Sequence, residues 1–469
     1  LKQVLVLSIS FVAWVSCIGN NAFSQDSPAP GDPLRLRETI AMATETFAEV
    51  QAKRAELSAA SEGVGLAKKA YLPDGDVYLQ WNRATRNNVF GLLLPSGSVP
   101  SISGPALEQT SSQSTFGSVA AALVQWKVFD LGERAAGVHE AEALRHRAET
   151  GLRLTELDVS FGALDAFLAV VAADSGVRAA AATAQRMEAF VESVSVLAAN
   201  ELRAGADLSL ARAELARARI ELIHAEQLRD EARTRLSEWL GRAGEVIEVD
   251  GADLIASTPD ADESAETEPT ELEANPFVAH EQAGLDAARA RKDAAAKSSL
   301  PEIDVLASVY SRGTGALLDG SFEGGSSGLW PDRSNWAIGV AVRFPFLDIP
   351  KAQQRKAIEG YGERAAEARY ENAVQHLTAE LERARIRLAS ARRVADNTPL
   401  ELDAARSLQA QARARYDAGL ADVLEVAESE RILRRAEREN DVARLDVWRA
   451  AFALAATEGD LTPVLSQLD

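Results

Sequence analysis

Apolar residues along this chain follow two different periods. Over long stretches they recur every three and four positions. One such stripe is Leu154, Leu157, Phe161, Leu164, Leu168 and Val171, a second is Leu208, Ala211, Leu215, Ala218, Leu222 and Ala225, and a third runs from Val374 through Leu377, Leu381, Ala384 and Leu388 to Ala395. A strict heptad puts the stripe on one helix face and makes the helices supercoil left-handedly. Alanine at alternate seam positions lets the axes come close. Elsewhere the period is two. From Trp336 to Phe344, large apolar residues alternate with small or charged ones. Ile303, Val305, Ala307 and Val309 oppose Asp304, Ser308 and Tyr310, with Leu306 off pattern, and Val77, Leu79 and Trp81 oppose Tyr78 and Gln80. Such segments are strands with two unlike faces. The alternation fits a half-buried antiparallel hairpin and a membrane strand of about 9–11 residues equally well. On the second reading the lipid-facing candidates are Val77, Leu79, Trp81, Val305, Val309, Ile338, Val340 and Val342, and Trp81, Trp126, Trp330, Trp336 and Phe344 lie at or near strand ends.

The two periods alternate in the same order twice. Leu72-Pro73-Asp74-Gly75-Asp76-Val77 resembles Leu300-Pro301-Glu302-Ile303-Asp304-Val305, Val124 to Leu131 resembles Val342 to Ile349, and Ala204-Gly205 recurs as Ala418-Gly419. The chain therefore divides into a first repeat (25–250), an acidic irregular linker (251–274) and a second repeat (275–469). The first repeat opens with a helix over roughly Leu36 to Ala70, stopped before Pro73 because proline cannot continue it. A strand, a Gly/Ser/Pro-rich loop, a second strand and a very long helix follow. In the second repeat the same elements fall at Pro276 to Lys297, Ile303 to Tyr310, a loop to Asn335, Trp336 to Phe346, and Lys351 to Asp417, with Pro301 again before the strand. Asn275-Pro276 restarts the helix, Asn as cap and Pro in the first turn.

Element lengths restrict the architecture. The helix from Leu131 to Arg203 would reach about 110 Å. It breaks at Ala204-Gly205-Ala206-Asp207, where Gly205 is expected to supply the turn and Asp207 to cap the returning helix. That helix, Asp207 to Gly241, is half as long, and so is the opening helix. End to end the two match their uninterrupted neighbour. The same holds for Lys351 to Asp417 against Pro276 to Lys297 plus Leu420 to Thr457. Each repeat thus builds one long rod and one composite rod, with strands at one end and a glycine turn at the other. Four strands cannot close a membrane barrel, since single-chain barrels start at about eight. Two chains would give eight strands around a filled interior. Three would give twelve strands above twelve helical rods, wide enough for a water-filled duct.

Composition narrows the partners. The 469 residues carry a formal charge of −20, which argues against nucleic acid, because phosphate backbones are held by Lys and Arg. Lys2 precedes an apolar run from Val4 to Ile18 and an Ala22-Phe23-Ser24 cleavage pattern, so residues 1–24 read as a signal peptide. The single cysteine, Cys17, lies inside it; Val15-Ser16-Cys17 suggests lipidation, against which Trp14 is too large at its position. No other segment is apolar for 18 residues, so any membrane role falls to β-strands. Enzyme signals are false alarms. Gly324-Gly325-Ser326-Ser327-Gly328 matches a nucleophile pattern but sits in a loop between strands, without the strand-turn-helix context that makes such a serine reactive. His139 and His146 belong to no metal motif, and the acidic run Asp260 to Glu273 has no ordered ligand loop. No catalytic, cofactor-binding or metal residue is expected.

With this order of elements, the Leu-Pro pairs, Asn275-Pro276 and the tips at Ala204-Gly205 and Tyr416-Asp417-Ala418-Gly419-Leu420, the chain resembles the TolC family of trimeric outer-membrane efflux and secretion ducts over nearly all of its mature length. The resemblance implies a mainly α-helical homotrimer in the outer membrane of a Gram-negative bacterium. A 12-stranded barrel, surrounded by outer-membrane lipid, continues into a 12-rod helical tunnel across the periplasm. A periplasmic adaptor (membrane fusion) protein and an inner-membrane transporter dock at the tips. In the family the tip is a gate ringed by acid groups. The resemblance places Gly205, Asp207, Tyr416, Gly419, Asp422, Glu425 and Glu428 there, with Tyr416 at the gate tyrosine and Glu425 and Glu428 at the acidic ring. Ala421 and Ala211 stand where other members carry the gate arginine and an aspartate, so the closing contacts differ here. The alternatives are a periplasmic coiled-coil adaptor or scaffold outside the membrane and, third, a hydrolase.

Overall fold

The computed structural model describes residues 33–85, 110, 112–201, 204–259, 269–315, 317, 321 and 323–468. The expected signal peptide, with Cys17 and its cleavage pattern, lies outside these residues, as does the middle of the acidic linker. In chain order the elements are α1 (Leu36–Thr46), α2 (Ala48–Lys69), β1 (Asp74–Thr85), β2 (Ser114–Phe129), α3 (Glu133–Ala199), α4 (Gly205–Trp239), α5 (Ala252–Ala256), α6 (Pro269–Ala274), α7 (Pro276–Lys297), β3 (Glu302–Thr314), β4 (Arg333–Arg343), α8 (Ile349–Asp417), α9 (Val423–Glu458) and α10 (Thr462–Leu465). The strands form one antiparallel sheet in the order β1-β2-β3-β4, with a bulge between Lys127 and Phe129. Each of β1 and β3 starts on the residue after its proline, Pro73 or Pro301, and the preceding helix closes with a hydrogen bond from Leu72 N to Lys69 O (2.9 Å) or from Leu300 N to Lys297 O (3.1 Å).

Helices α3 and α8 are the uninterrupted rods, 67 and 69 residues, each about 100 Å long. Along α3 lie α2 and α4 on one side and α7 and α9 on the other; α8 packs on α7 and α9. The second composite rod is α7 (22 residues) followed in space by α9 (36 residues). Asn275 holds its seam with both ends of one amide. Its Oδ1 accepts from Phe277 N of α7 (3.0 Å), and its Nδ2 donates to Thr457 O near the end of α9 (2.8 Å).

The first composite rod differs from expectation. The opening helix is two helices, because the backbone turns extended at Phe47 (φ −64°, ψ 128°). Only α2 (22 residues) joins α4 (35 residues) in the rod, while α1 packs separately on α3. The cause is tertiary. Phe47 stacks on Trp239 at the end of α4, ring centroids 5.1 Å apart, and Thr46 Oγ1 donates to Leu240 O (2.8 Å). Trp239 fits because α3 carries Gly162 beneath it, where a Cβ would lie 2.4 Å from the indole.

The largest core sits at this level. It gathers Leu36 and Ala43 of α1, Phe167 and its neighbours on α3, Leu236 and Leu240, Leu254 of α5, and Trp448 and Phe452 of α9. The linker is partly ordered rather than wholly irregular. Just ahead of it Leu34 pairs with Val249 in a parallel bridge, and within it Ser257 O and Ile255 O accept from Trp448 Nε1 (2.9 Å) and Arg444 Nη1 (3.0 Å). No helix among the described residues is long and apolar enough to cross a membrane.

Candidate functional site

Two ends of the molecule carry chemistry beyond packing. At the sheet end, register decides which side chains share a face, because residues directly opposite point the same way. Val77, Ala122, Val309 and Trp336 form one row across all four strands; Val124, Ala307 and Ile338 form a second, and Trp126, Val305 and Val340 a third. The opposite face carries rows such as Tyr78, Ala121, Tyr310 and Asn335, or Gln80, Val119, Arg312 and Arg333. Every apolar candidate therefore falls on one face. Most stand bare: Val77 is 77% exposed and Ile338 70%, with Leu79, Trp81, Val309, Val340 and Val342 also exposed. Val305, on a central strand, is half-buried. Among the described residues, neither sheet edge, β1 or β4, has a second strand partner.

At the other end the two helical hairpins turn. In the second, the chain leaves α8 through Gly419 in the left-handed region (φ 77°), with Gly419 N donating to Tyr416 O (3.0 Å) and Leu420 N to Arg415 O (2.8 Å). Asp422 caps α9, accepting from Glu425 N at 2.9 Å. Tyr416 points inward and is 0% exposed, edge-on to Phe190 of α3 with centroids 4.8 Å apart. Met187, Val194, Ala211, Ala218, Ala421, Val423 and Val426 share this cluster, so Ala211 and Ala421 are part of its apolar wall. Arg413 stacks over Phe190, its guanidinium 4.8 Å from the ring centroid.

The first tip departs from expectation in two ways. Gly205 does not make the turn. It begins α4 with open space where a Cβ would stand, and among the described residues of this turn the left-handed one is Glu201 (φ 58°). Asp207 does not cap. The cap position is Ala204, which has no side-chain acceptor, and Asp207 is the third residue of α4, its N–H donating to Ala204 O at 3.0 Å. An aspartate there still favours the helix N-terminus electrostatically.

Glu425 and Glu428 are exposed, and each meets a basic residue of its own chain. Arg415 Nε donates to Glu425 Oε1 at 3.0 Å, and Arg431 pairs with Glu428. A third carboxylate, Glu430, is 4% exposed. It accepts from Arg186 Nε of α3 (2.7 Å) and Gln409 Nε2 of α8 (2.8 Å), and Arg186 also reaches Glu437 (3.3 Å). One acid thereby joins both repeats just above the tip. The signal for it was present: Glu430 and Glu437 occupy the stripe running Val423, Val426, Leu433 and Asn440. A buried ion pair is weak evidence for stability but fixes register well.

Where sheet meets helices, Lys127 Nζ bridges Glu302 (2.6 Å) and Glu133 (3.0 Å), Arg343 pairs with Glu302, and Arg134 pairs with Asp130 and lies over the Tyr71 ring. Burial alone would raise the Asp130 pKa, but hydrogen bonds from Arg134 and the Gly132 N–H hold it below the usual carboxylate value. In the nucleophile-like loop, Ser327 Oγ donates to Glu323 at 2.7 Å within an exposed turn. Among the described residues no group of His, Cys, Asp and Glu could hold a metal ion.

Residues 40–242 and 269–460 match the family model described as outer membrane efflux protein. Among curated proteins none matches the chain by sequence. Several solved structures share its fold. CusC, studied in its folding and transmembrane channel formation, superposes with a TM-score of 0.72 at 15% identity, covering 91% of this chain and 92% of its own. The Campylobacter jejuni CmeC outer membrane channel gives 0.72 at 14% identity, covering 92% and 88%. The open state of the Neisseria gonorrhoeae MtrE outer membrane channel gives 0.72 at 17%, covering 91% and 89%.

Proposed function

This chain belongs to the outer membrane efflux protein family, and on that footing we propose that three copies close their sheets into one 12-stranded barrel, continued by a tunnel of twelve rods, as a passive duct through the outer membrane. The family is one of channels rather than enzymes, and the TolC-like resemblance in the sequence agrees with the match.

One observation carries the reading. A four-stranded sheet with two unpaired edges presents a bare apolar face across all its strands. Unpaired backbone is costly in hydrocarbon, so in lipid the edges must close. Pairing β4 of one copy with β1 of the next removes every edge and turns the apolar rows outward in a continuous band. The helices leave matching surfaces. α8 exposes Ile386, Val394 and Leu400 on the outer side of the four-rod layer, and α4 at the other edge exposes Ile220, Ile223 and Leu228. The tips then converge, and Glu425 and Glu428 from three copies would favour cations to the extent that Arg415 and Arg431, their partners within each chain, leave net negative charge. An adaptor and an inner-membrane pump would engage this end and deliver the substrate.

The test is assembly in lipid. Wild-type protein should run as a trimer from detergent-extracted membranes and form conducting pores in planar bilayers. Val340→Asp, on the apolar face, should cost up to a few kcal/mol of insertion and deplete the assembled form. Ala337→Asp, on the other face, should be tolerated. A compact monomer in plain buffer, or equal tolerance of both substitutions, would overturn the reading and favour the periplasmic scaffold.

A further inference from the structure

Lysine is distributed very unevenly along this chain. Beyond Lys2 there are eight, and seven of them lie within, or within thirteen residues of, a strand end that joins a helix. None occurs between Lys127 and Lys292 or after Lys356, where arginine supplies all the positive charge. The structure gathers these lysines at one level. Lys68 and Lys69 end α2, Lys297 ends α7, Lys127 stands near the end of β2, and Lys351 and Lys356 lie in the first turns of α8. All four rods contribute to this level or adjoin it, since Lys297 Nζ lies 4.0 Å from where a Cβ on Gly132, at the head of α3, would stand.

The helix macrodipole explains only part of this. Cations are favoured in the last turns of α2 and α7 but disfavoured in the first turns of α8. Internal ion pairing also explains only part. Lys68 meets Glu142 (3.2 Å), Lys297 meets Asp293 (2.8 Å) and Lys351 meets Asp348 (2.9 Å), all on the surface, where such pairs are weak. Lys69 and Lys356 are exposed and have no ion pair among the described residues. Beside the lysines stands bare apolar surface: Leu72, Phe344, Phe346 and Leu347 are all exposed at the same transitions. Apolar and aromatic side chains at a rim, with long cationic ones next to them, is the arrangement of a membrane–water boundary, where lysine lays its stem along hydrocarbon and keeps its ammonium at headgroup level.

We propose that this belt binds the phosphate headgroups of anionic phospholipids in the leaflet facing the helices, with Lys69, Lys351 and Lys356 as its main contacts. The inference rests on the barrel reading above, because it requires the sheet to lie in a bilayer. Lysine suits the task better than arginine: a compact ammonium on a flexible stem follows a mobile phosphate, whereas a guanidinium suits fixed bidentate pairs.

The experiment uses the full-length trimer in a zwitterionic detergent. Phosphatidylglycerol or phosphatidylcholine is added, and bound lipid is counted by native mass spectrometry. Wild type should retain phosphatidylglycerol preferentially, and K69Q/K351Q/K356Q should lose about fivefold or more of that preference. The charge-conserving K69R/K351R/K356R should keep most of it, while neutralising Arg406 and Arg435, in the tip half, should leave it unchanged. Equal retention of both lipids by wild type would overturn the proposal, even if the glutamine variant failed to assemble. So would a preference abolished by inorganic phosphate at low millimolar concentration, which would mark a free-anion site, or a glutamine variant with weakened trimers and intact lipid preference, which would mark a subunit contact. Failure of wild type to form trimers or pores at all would instead refute the barrel reading, so the two outcomes are distinguishable.

Discussion

The two hairpin tips perform the same reversal with different chemistry. The second places a glycine where the backbone is left-handed, an aspartate where the next helix needs a cap, and a buried tyrosine beneath both. The first gives the left-handed position to Glu201, starts its returning helix on an uncapped Ala204, and puts a glycine where nothing requires one. At the second tip Gly419 N, Leu420 N and Glu425 N each have a named acceptor, whereas no side chain caps the start of α4 at the first.

Substitutions can break this contrast. The largest effect is expected from Tyr416→Ala, which empties the centre of the tip cluster and should cost about 3–5 kcal/mol of local stability. Hydrogen exchange should then accelerate in 187–194 and 423–426 together, because Phe190 and Val426 share that cluster. Gly419→Val comes next, at about 1–2 kcal/mol for a left-handed residue with a Cβ. Gly205→Val should cost nothing measurable, since helix propensity favours valine over glycine, and equal losses at the two sites, read from thermal unfolding and adaptor crosslinking, would erase the distinction. The smallest effect belongs to the caps. Asp422→Ala should lose about 1 kcal/mol, and Asp207→Ala only the weaker dipole contribution, both measured as local exchange rates in the first turn of the helix.

The same contrast explains what could be read from the sequence. The apolar face of the sheet was legible because its period is two and its register keeps like residues opposite one another. The second seam was legible because Asn275-Pro276 is a cap followed by a first-turn proline, a strictly local signal. Phe47 was not, since no glycine or proline marks the break; the helix parts there because Trp239, almost two hundred residues away, offers a ring to stack on. At the first tip the most turn-prone residue drew the assignment, yet the strain fell on a glutamate a few positions earlier. Glu430 was overlooked because a charge on an apolar stripe reads as an interruption until Arg186 and Gln409 are seen to enclose it.

The seams of the composite rods have an architectural consequence. There, and at no tip, the chain steps out of the four-rod layer, through α1, through the segment containing α5 and α6, and finally through α10. A heptad added to α3 would have to be matched in α2 or α4, or the hairpin and the sheet would fall out of alignment. Residues added beside Phe47, Asn275 or Leu461 lengthen no strut. Among the described residues, the waist of the molecule is thus a place where its outline can vary without altering the length of its rods.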